Sequence, residues 1–263
     1  MIPAPSLGRA TEIQLRVLGA LLMREIITRY GRDNLGFLWL FVEPMLFTLG
    51  VTALWTAFSL HQTSALPIVA FAVTGYSSVL LWRNCASRCA MAIPPNIGLL
   101  YHRNVRVLDL LMARILLECA GATASFVLLS ALWIWLEWME PPTDLLLVLV
   151  GWLFLAWFGA ALALCVGALT AYSEVVERLW HPISYFLFPI SGAVFMVEWL
   201  PTRLQEAALW VPMVNAVEVL RAGFFGPAVR THYAVGYLLL SCMALTLVGL
   251  ALVRDAGRRV EMQ

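Results

Sequence analysis

The chain has 263 residues, of which 62% are hydrophobic and only 13% are charged, and its mean hydropathy is +0.84. This composition is too apolar for a soluble domain of that length, so the sequence predicts an all-α membrane protein with several spans. The formal net charge of +1 gives no reason to expect a nucleic-acid partner.

A second compositional feature is that all 17 lysine-plus-arginine positions are arginine. A Walker A phosphate loop needs a lysine, and so does an enzyme that forms a Schiff base. We therefore expect this chain to bind no nucleotide and no cofactor, and any nucleotide energy must come from a partner. Cys85 and Cys89 could share a helical face, but no third ligand is near them in sequence, so we expect no metal site.

The first 34 residues precede the first apolar stretch and contain a basic amphipathic helix. Helical spacing places Leu22, Met23, Ile26, Ile27 and Tyr30 on one face, and Arg24, Glu25, Thr28 and Arg29 on the other. Such a helix suits the cytoplasmic surface of a membrane. The alternative is a positively charged flank that only orients the protein.

Six apolar stretches can each cross a bilayer, which takes roughly 20 helical residues. They cover residues 37–60, 66–82, 110–136, 145–171, 180–199 and 233–253. Arginines crowd before the first stretch, in the loop 83–106 and after the last stretch, whereas the loops 61–65 and 137–144 contain none. By the positive-inside rule both termini are expected in the cytoplasm, and the membrane lipids are a partner of the whole chain.

The cytoplasmic loop 83–106 has an internal pattern of its own. It predicts a short helix up to Ala92, a break at Pro94 and Pro95, Asn96 as a helix cap and a second short helix. Leu99, Leu100 and Tyr101 would then form an apolar knob at the loop tip. This knob could dock on a soluble partner or pack on the membrane surface.

The segment 199–231, between the last two spans, predicts two short helices. Thr202 with Gln205, and Asn215 with Glu218, have capping-box spacing after Pro201 and Pro212. Gly223 and the pair at 226–227 would end the second helix. A pair of this kind favours a re-entrant element, which must be buried in protein or line a wet cavity. The alternative is two amphipathic helices on the outer surface.

Charged side chains are rare in the predicted spans. Glu43 and Glu118 are functional candidates by position, since such groups face a bundle interior or a water path, or else form a buried ion pair. Several deep aromatic residues could stack on sugar rings or simply fill the core. These channel candidates, with Glu43, are Trp39, Trp55, Tyr76, Tyr185 and Phe188.

Three blocks of sequence resemble the permease subunits of type-2 ABC exporters, in particular the capsular polysaccharide export permeases of Gram-negative bacteria. The first block runs from Arg24 to Tyr30 and continues through 35–39 to Glu43 and Pro44. The others are 101–109 with Arg114, and 215–225. With the six spans, the likeness covers nearly the whole chain as a single transmembrane domain, 1–263.

The resemblance implies a role for each part of the chain. It implies a permease homodimer bound to two copies of an ABC ATPase that hold ATP and Mg, with a polysaccharide or glycolipid passing between the protomers in the bacterial inner membrane. The N-terminal helix, with Arg24, Arg29 and Tyr30, would flank the polymer entrance. The loop 83–106 would carry a coupling helix, with Asn96, Leu99, Leu100 and Tyr101 against the ATPase.

The same resemblance implies that re-entrant helices carrying Asn215, Glu218 and Arg221 cap the outer end. It also implies a periplasmic co-polymerase and an outer-membrane channel as further partners. A related exporter of O-antigen, teichoic acid or a drug is the near alternative. A distant alternative is an intramembrane serine protease, for which Ser77 and Ser78 follow Gly75, but no histidine is expected at their depth.

Overall fold

The computed structural model describes residues 7–30, 66–100 and 105–260, together with single helical positions between 38 and 57. Every regular element in this described part is a helix, which confirms the all-α prediction there. The helices are α1 (Leu7–Tyr30), α2 (Ile68–Ala90), α3 (Ile97–Leu100), α4 (Val107–Trp135), α5 (Leu145–Leu169), α6 (Glu174–Ile190), α7 (Thr202–Leu209), α8 (Pro212–Phe225) and α9 (Val235–Val260). Single 3-10 turns cover Pro94–Asn96, Val197–Trp199 and Gly226–Ala228.

Within the described residues, α4, α5 and α9 are each long and apolar enough to cross a membrane. The pair α7 and α8 passes the same test only when taken together, and it is bent by 103° at its break. Helix α2, on the predicted second span, is not among the helices that pass this test, and it carries Arg83 and Arg88 towards its end. Helix α6, on the predicted fifth span, also fails the test, because it has only 17 residues. The predicted first span, 37–60, lies largely outside the described residues.

The helix predicted up to Ala92 is present, but it is not a short element of the loop, because α2 runs without a break from Ile68 to Ala90. The small residues Cys85, Ala86, Cys89 and Ala90 are all buried and keep the last two turns packed in the core. The Arg88 carbonyl accepts a hydrogen bond from Arg114 of α4. Packing against neighbouring helices therefore extends α2 beyond the apolar stretch that the sequence marks.

The predicted boundaries of the fifth span, 180–199, are also wrong. Helix α6 begins at Glu174, where the Ser173 hydroxyl accepts a hydrogen bond from the Val175 amide, and ends at Ile190. Gly192 then takes a φ of +81°, which favours glycine and turns the chain away from the helix axis. The rest of the predicted span contains only the 3-10 turn Val197–Trp199.

Helix α5 lies at the centre of the bundle and contacts α2, α8 and α9. A Cβ placed on Gly151 would lie 2.5 Å from the Leu220 amide of α8, and one on Gly159 would lie 2.9 Å from Trp82 Cα of α2. A Cβ placed on Gly249 of α9 would lie 2.9 Å from Leu164 Cβ of α5. Such approaches suit a membrane bundle, in which small residues let helix backbones pack closely.

We predict that Gly159→Leu destabilises the protein, because the new side chain must displace the α2 backbone at Trp82. Overpacking of this kind costs about 1–3 kcal/mol, which should lower the thermal unfolding temperature of the purified chain in detergent. Gly236→Leu is the matched control, since Gly236 has open space around it in α9. Equal unfolding temperatures for the two variants would contradict this account of α5.

Candidate functional site

Helix α1 packs on the beginning of α4 through a small apolar cluster. Leu21 is buried there against Leu110 and Ala113, and Val17, Leu18 and Leu22 surround them. At the edge of the cluster, the Gln14 side-chain amide donates a hydrogen bond to the Asp109 carboxylate. The other oxygen of that carboxylate accepts from the Arg106 amide at 2.9 Å and so holds the first turn of α4.

Two predicted site residues that are 72 positions apart in sequence meet beside this cluster. Arg24 Nη1 of α1 donates to Asn96 Oδ1 at 2.7 Å, and Asn96 Nδ2 donates to the Ala92 carbonyl at 2.8 Å. Asn96 is only 4% exposed. Its side chain therefore connects α1 to the turn before α3, and the predicted role of Asn96 as a helix cap is wrong.

A row of charged side chains continues from α1 across α4 to α2. Arg114 Nε lies 3.1 Å from Glu25 Oε1, with both side chains less than one-sixth exposed, and Arg114 Nη1 donates to the Arg88 carbonyl at 2.6 Å. Arg88 Nε lies 3.6 Å from Glu118 Oε1. Glu118 thus belongs to an ion pair between α2 and α4. We call Arg24, Glu25, Asn96 and Arg114 the α1 contact network.

The burial of side chains on α1 does not follow the two faces that helical spacing predicts. Leu22 and Ile26 are half-buried together with Arg24 and Glu25, which face the bundle. Met23 and Ile27, from the predicted apolar face, are 59% and 47% exposed. The side chains of Arg29 and Tyr30 lie outside the described residues. Part of the polar face of this helix therefore contacts protein.

Near α3, the predicted contact residues differ in accessibility. Leu99 and Leu100 are half-buried against the cluster of Leu21, Leu110 and Ala113. Ile97 is 39% exposed, and the neighbouring Pro94 and Pro95 are exposed too. Ile97 is therefore more accessible than the two leucines that the sequence singles out. Tyr101 lies outside the described residues.

Arg221 of α8 is completely buried and holds the loop after α6. Its Nη1 donates to the carbonyls of Gly192 and Phe195, and its Nη2 donates to the Ala193 carbonyl, each at 2.7 Å. The guanidinium carbon lies 3.9 Å from the centre of the Phe71 ring of α2. These contacts offset the cost of burying a cation.

The two other predicted residues of α8 hold the chain on either side of the hairpin formed by α7 and α8. Glu218 Oε1 accepts from the Val197 amide at 3.2 Å, and its Oε2 accepts from the His232 amide at 3.0 Å. Asn215 Nδ2 donates to the Leu209 carbonyl, and Asn215 Oδ1 accepts from the Ala234 amide. Both side chains belong to the body of α8, so the predicted capping box of Asn215 and Glu218 is wrong.

The channel candidates fall into three groups. Tyr185 is 67% exposed on α6, beside Phe186, which is 75% exposed and was not singled out from sequence. Phe188 is half-buried and its ring lies 6.1 Å from that of buried Tyr76. Trp39, Glu43 and Trp55 lie outside the described residues. Arg83 extends over Tyr185, with its guanidinium carbon 5.4 Å from the ring centre.

The serine pair considered for a protease lies in the middle of α2. The Ser78 hydroxyl donates to the Thr74 carbonyl within the same helix, and both serines are buried. In the described part of the chain, neither hydroxyl is hydrogen-bonded to a histidine. Their surroundings therefore give no support to a serine nucleophile.

We predict that Arg221→Met strongly destabilises the fold, because three carbonyls lose their donor together. The expected loss is about 3 kcal/mol or more, since each hydrogen bond to a charged group contributes about 1.5–3 kcal/mol. The change should appear as a lower unfolding temperature in detergent. Arg203→Met is the control, because Arg203 is exposed on α7. A stable Arg221→Met protein would contradict the proposed role of this residue in holding the loop.

Comparisons with known proteins match the chain to one family over most of its length. The ABC-2 type transporter family matches residues 16–225. The capsule polysaccharide export inner-membrane protein CtrC of Neisseria meningitidis serogroup A is 47% identical to this chain over 251 residues. The capsule polysaccharide export inner-membrane protein BexB of Haemophilus influenzae is 44% identical over 251 residues. Each alignment covers 95% of both chains. The polysialic acid transport protein KpsM of Escherichia coli is 28% identical over 250 residues, or 92% of this chain and 94% of its own. The chain therefore belongs to the ABC-2 type transporter family, in the group of capsule polysaccharide export inner-membrane proteins.

Proposed function

We propose that this chain is the permease subunit of an ATP-driven exporter that moves capsular polysaccharide across the bacterial inner membrane. The observation that carries the proposal is the identity of 44–47% along 95% of the chain to two inner-membrane proteins of capsule polysaccharide export. In this proposal the chain has six spans, both termini lie in the cytoplasm, and α1 lies at the inner membrane surface beside the polymer entrance.

The α1 contact network supports a mechanical mechanism for coupling. ATP and Mg bind to a separate ATPase dimer, whose closure pushes on the segment from Pro95 to Tyr101. Because Asn96 is hydrogen-bonded to Arg24 at 2.7 Å, a displacement of this segment acts directly on α1. The ion pair of Glu25 with Arg114 passes the same displacement to α4. The entrance and the first long span then move together, and the permease itself performs no bond chemistry.

The exposed aromatic face of α6 supports a homodimer with the polymer path between protomers. Tyr185 and Phe186 each leave at least two-thirds of their surface uncovered in one chain. A second copy could cover part of this face, and the remaining rings would offer weak, repeated contacts to sugars. Weak contacts suit a processive polymer because tight binding would stall it. The hairpin of α7 and α8 would close the outer end, towards a periplasmic co-polymerase and an outer-membrane channel.

The proposed function is tested by deletion and by affinity purification in the native host. We expect deletion of the gene to remove surface polysaccharide and the tagged chain, purified from membranes, to bring down an ABC ATPase. A tagged, unrelated inner-membrane protein is the control for the purification. Intact surface polysaccharide in the deletion strain, with no ATPase recovered, would overturn the proposal.

We predict that Arg24 and Asn96 act as one unit in export. Arg24→Gln and Asn96→Leu should each lower surface polysaccharide at normal protein level, and the double variant should be no worse than the more severe single variant, because both changes break the same hydrogen bond. Arg16→Gln is the matched control, since Arg16 is exposed on α1 and its ion pair is with Glu12 of the same helix. Additive losses in the double variant would contradict a direct link between α1 and the coupling segment.

We also predict that α6 contributes to the interface between protomers. Tyr185→Cys should give a disulfide-linked or bismaleimide-linked dimer in membranes, because this side chain lies on the uncovered face of α6. Leu240→Cys is the control, since Leu240 is 65% exposed but on α9. The contradicting result is a dimer that forms through position 240 and not through position 185.

A further inference from the structure

A groove of about 500 Å³ separates the beginning of α4 from the end of α9. This volume is in the range of small-molecule sites, roughly 300–1,000 Å³. Apolar side chains line much of it, among them Leu108 of α4 and Leu250 and Val253 of α9. Three exposed arginines, Arg106, Arg254 and Arg258, also line it.

The charged residues that line this groove are all arginines. Among the residues that the structure describes, Arg106, Arg254 and Arg258 form no ion pair. Asp255, the carboxylate next to Arg254, lies 3.5 Å from Arg259 Nε and accepts from the Tyr172 hydroxyl at 2.6 Å. Asp109, the carboxylate near Arg106, is buried and accepts from the Arg106 amide and the Gln14 side chain. Val107, the first residue of α4, also lines the groove, and a helix N-terminus adds positive potential.

The order of side chains along α9 matches the order of groups in a phospholipid. Leu250 and Val253 lie within the apolar span, and Arg254 and Arg258 follow them in the next turn. A molecule that enters the groove from the bilayer therefore meets an apolar wall first and guanidinium groups last. Guanidinium groups bind phosphate oxygens through paired hydrogen bonds.

We infer that this groove binds one anionic phospholipid of the leaflet on the arginine-rich side, with an acyl chain along Leu108, Leu250 and Val253 and the phosphate among Arg106, Arg254 and Arg258. Basic pockets between membrane helices bind anionic headgroups in this way. The lipid would join the end of α9 to the turn that carries α3, because Ile97 and Leu100 lie on the same groove. Such a site depends only on membrane embedding and not on the identity of the exported polymer.

The test uses the purified full-length chain in a neutral detergent, with phosphatidylglycerol and phosphatidylcholine as competing probes. Native mass spectrometry should show a preference for phosphatidylglycerol. In the double variant Arg106→Gln with Arg258→Gln this preference should fall about tenfold or more, since each basic residue near an anionic lipid surface contributes about 1 kcal/mol. Arg178→Gln is the control, because Arg178 is an exposed arginine at the beginning of α6 and outside the groove.

A second variant tests the groove without changing its charge. Gly257 lines the groove and has no atom within 4 Å of a Cβ placed on it, so Gly257→Leu fills the groove with little strain. This variant should also lose the preference for phosphatidylglycerol. The proposal is overturned if Gly257→Leu binds the lipid as the wild type does, which would indicate surface attraction alone. It is also overturned if inorganic phosphate competes as well as the lipid, or if Gly257→Leu instead disrupts a dimer of the chain.

Discussion

Helix α5 approaches its neighbours so closely that three of its glycines leave no room for a side chain. In a bilayer, helices gain little from the hydrophobic effect when they associate, so close backbone packing and hydrogen bonds hold the bundle. The approach at Gly159 fixes α2, and the approach at Gly151 fixes α8. With those two helices placed, Gly75 of α2 lies beside the Ala193 carbonyl and Arg221 reaches the loop after α6. The position of the hairpin thus depends on α5.

Arginines have two different roles in this structure, and burial separates them. Arg221 is buried and bonded to carbonyls, and Arg114 is nearly buried and paired with Glu25. These residues hold helices together. Arg106, Arg254 and Arg258 are exposed and line a groove. The absence of lysine suits the first role in particular, because a guanidinium spreads its donors over several carbonyls, whereas an ammonium is a compact charge.

The sequence predicts those features that depend on local pattern. Long apolar runs locate α4, α5 and α9 to within a few residues, except that α9 continues past position 253 to Val260. Proline and glycine spacing predicts two short helices where α7 and α8 lie. The ends of α6 depend on local residues, the Ser173 cap and the turn at Gly192, and not on where the apolar run begins and ends. The end of α2, by contrast, depends on contacts with distant residues, which periodicity does not contain. The predicted capping box at Asn215 fails for the same reason, because its partners are Leu209 and Ala234.

The contacts of the site residues are even harder to predict from sequence than the ends of the helices. Arg24 stands out because it lies in a basic helix, and Asn96 because it follows two prolines. Nothing in the sequence indicates that these two side chains, 72 residues apart, are hydrogen-bonded to each other. Exposure is equally hidden from sequence, since Phe186 is as aromatic as Phe188 but far more exposed. A helical pattern assigns residues to faces, and only the packed bundle shows what each face contacts.

The buried guanidinium of Arg221 has a consequence for biogenesis. A cation is costly in the hydrocarbon layer until its donors are satisfied. The carbonyls of Gly192, Ala193 and Phe195 precede Arg221 in the chain, and so does the Phe71 ring, so all of its partners leave the ribosome before it does. Synthesis from the N-terminus therefore makes these partners of Arg221 before α8 itself emerges. Glu218 and Asn215 of the same helix also accept hydrogen bonds from the later amides of His232 and Ala234, so the contacts of α8 are complete only when the segment after it has been made.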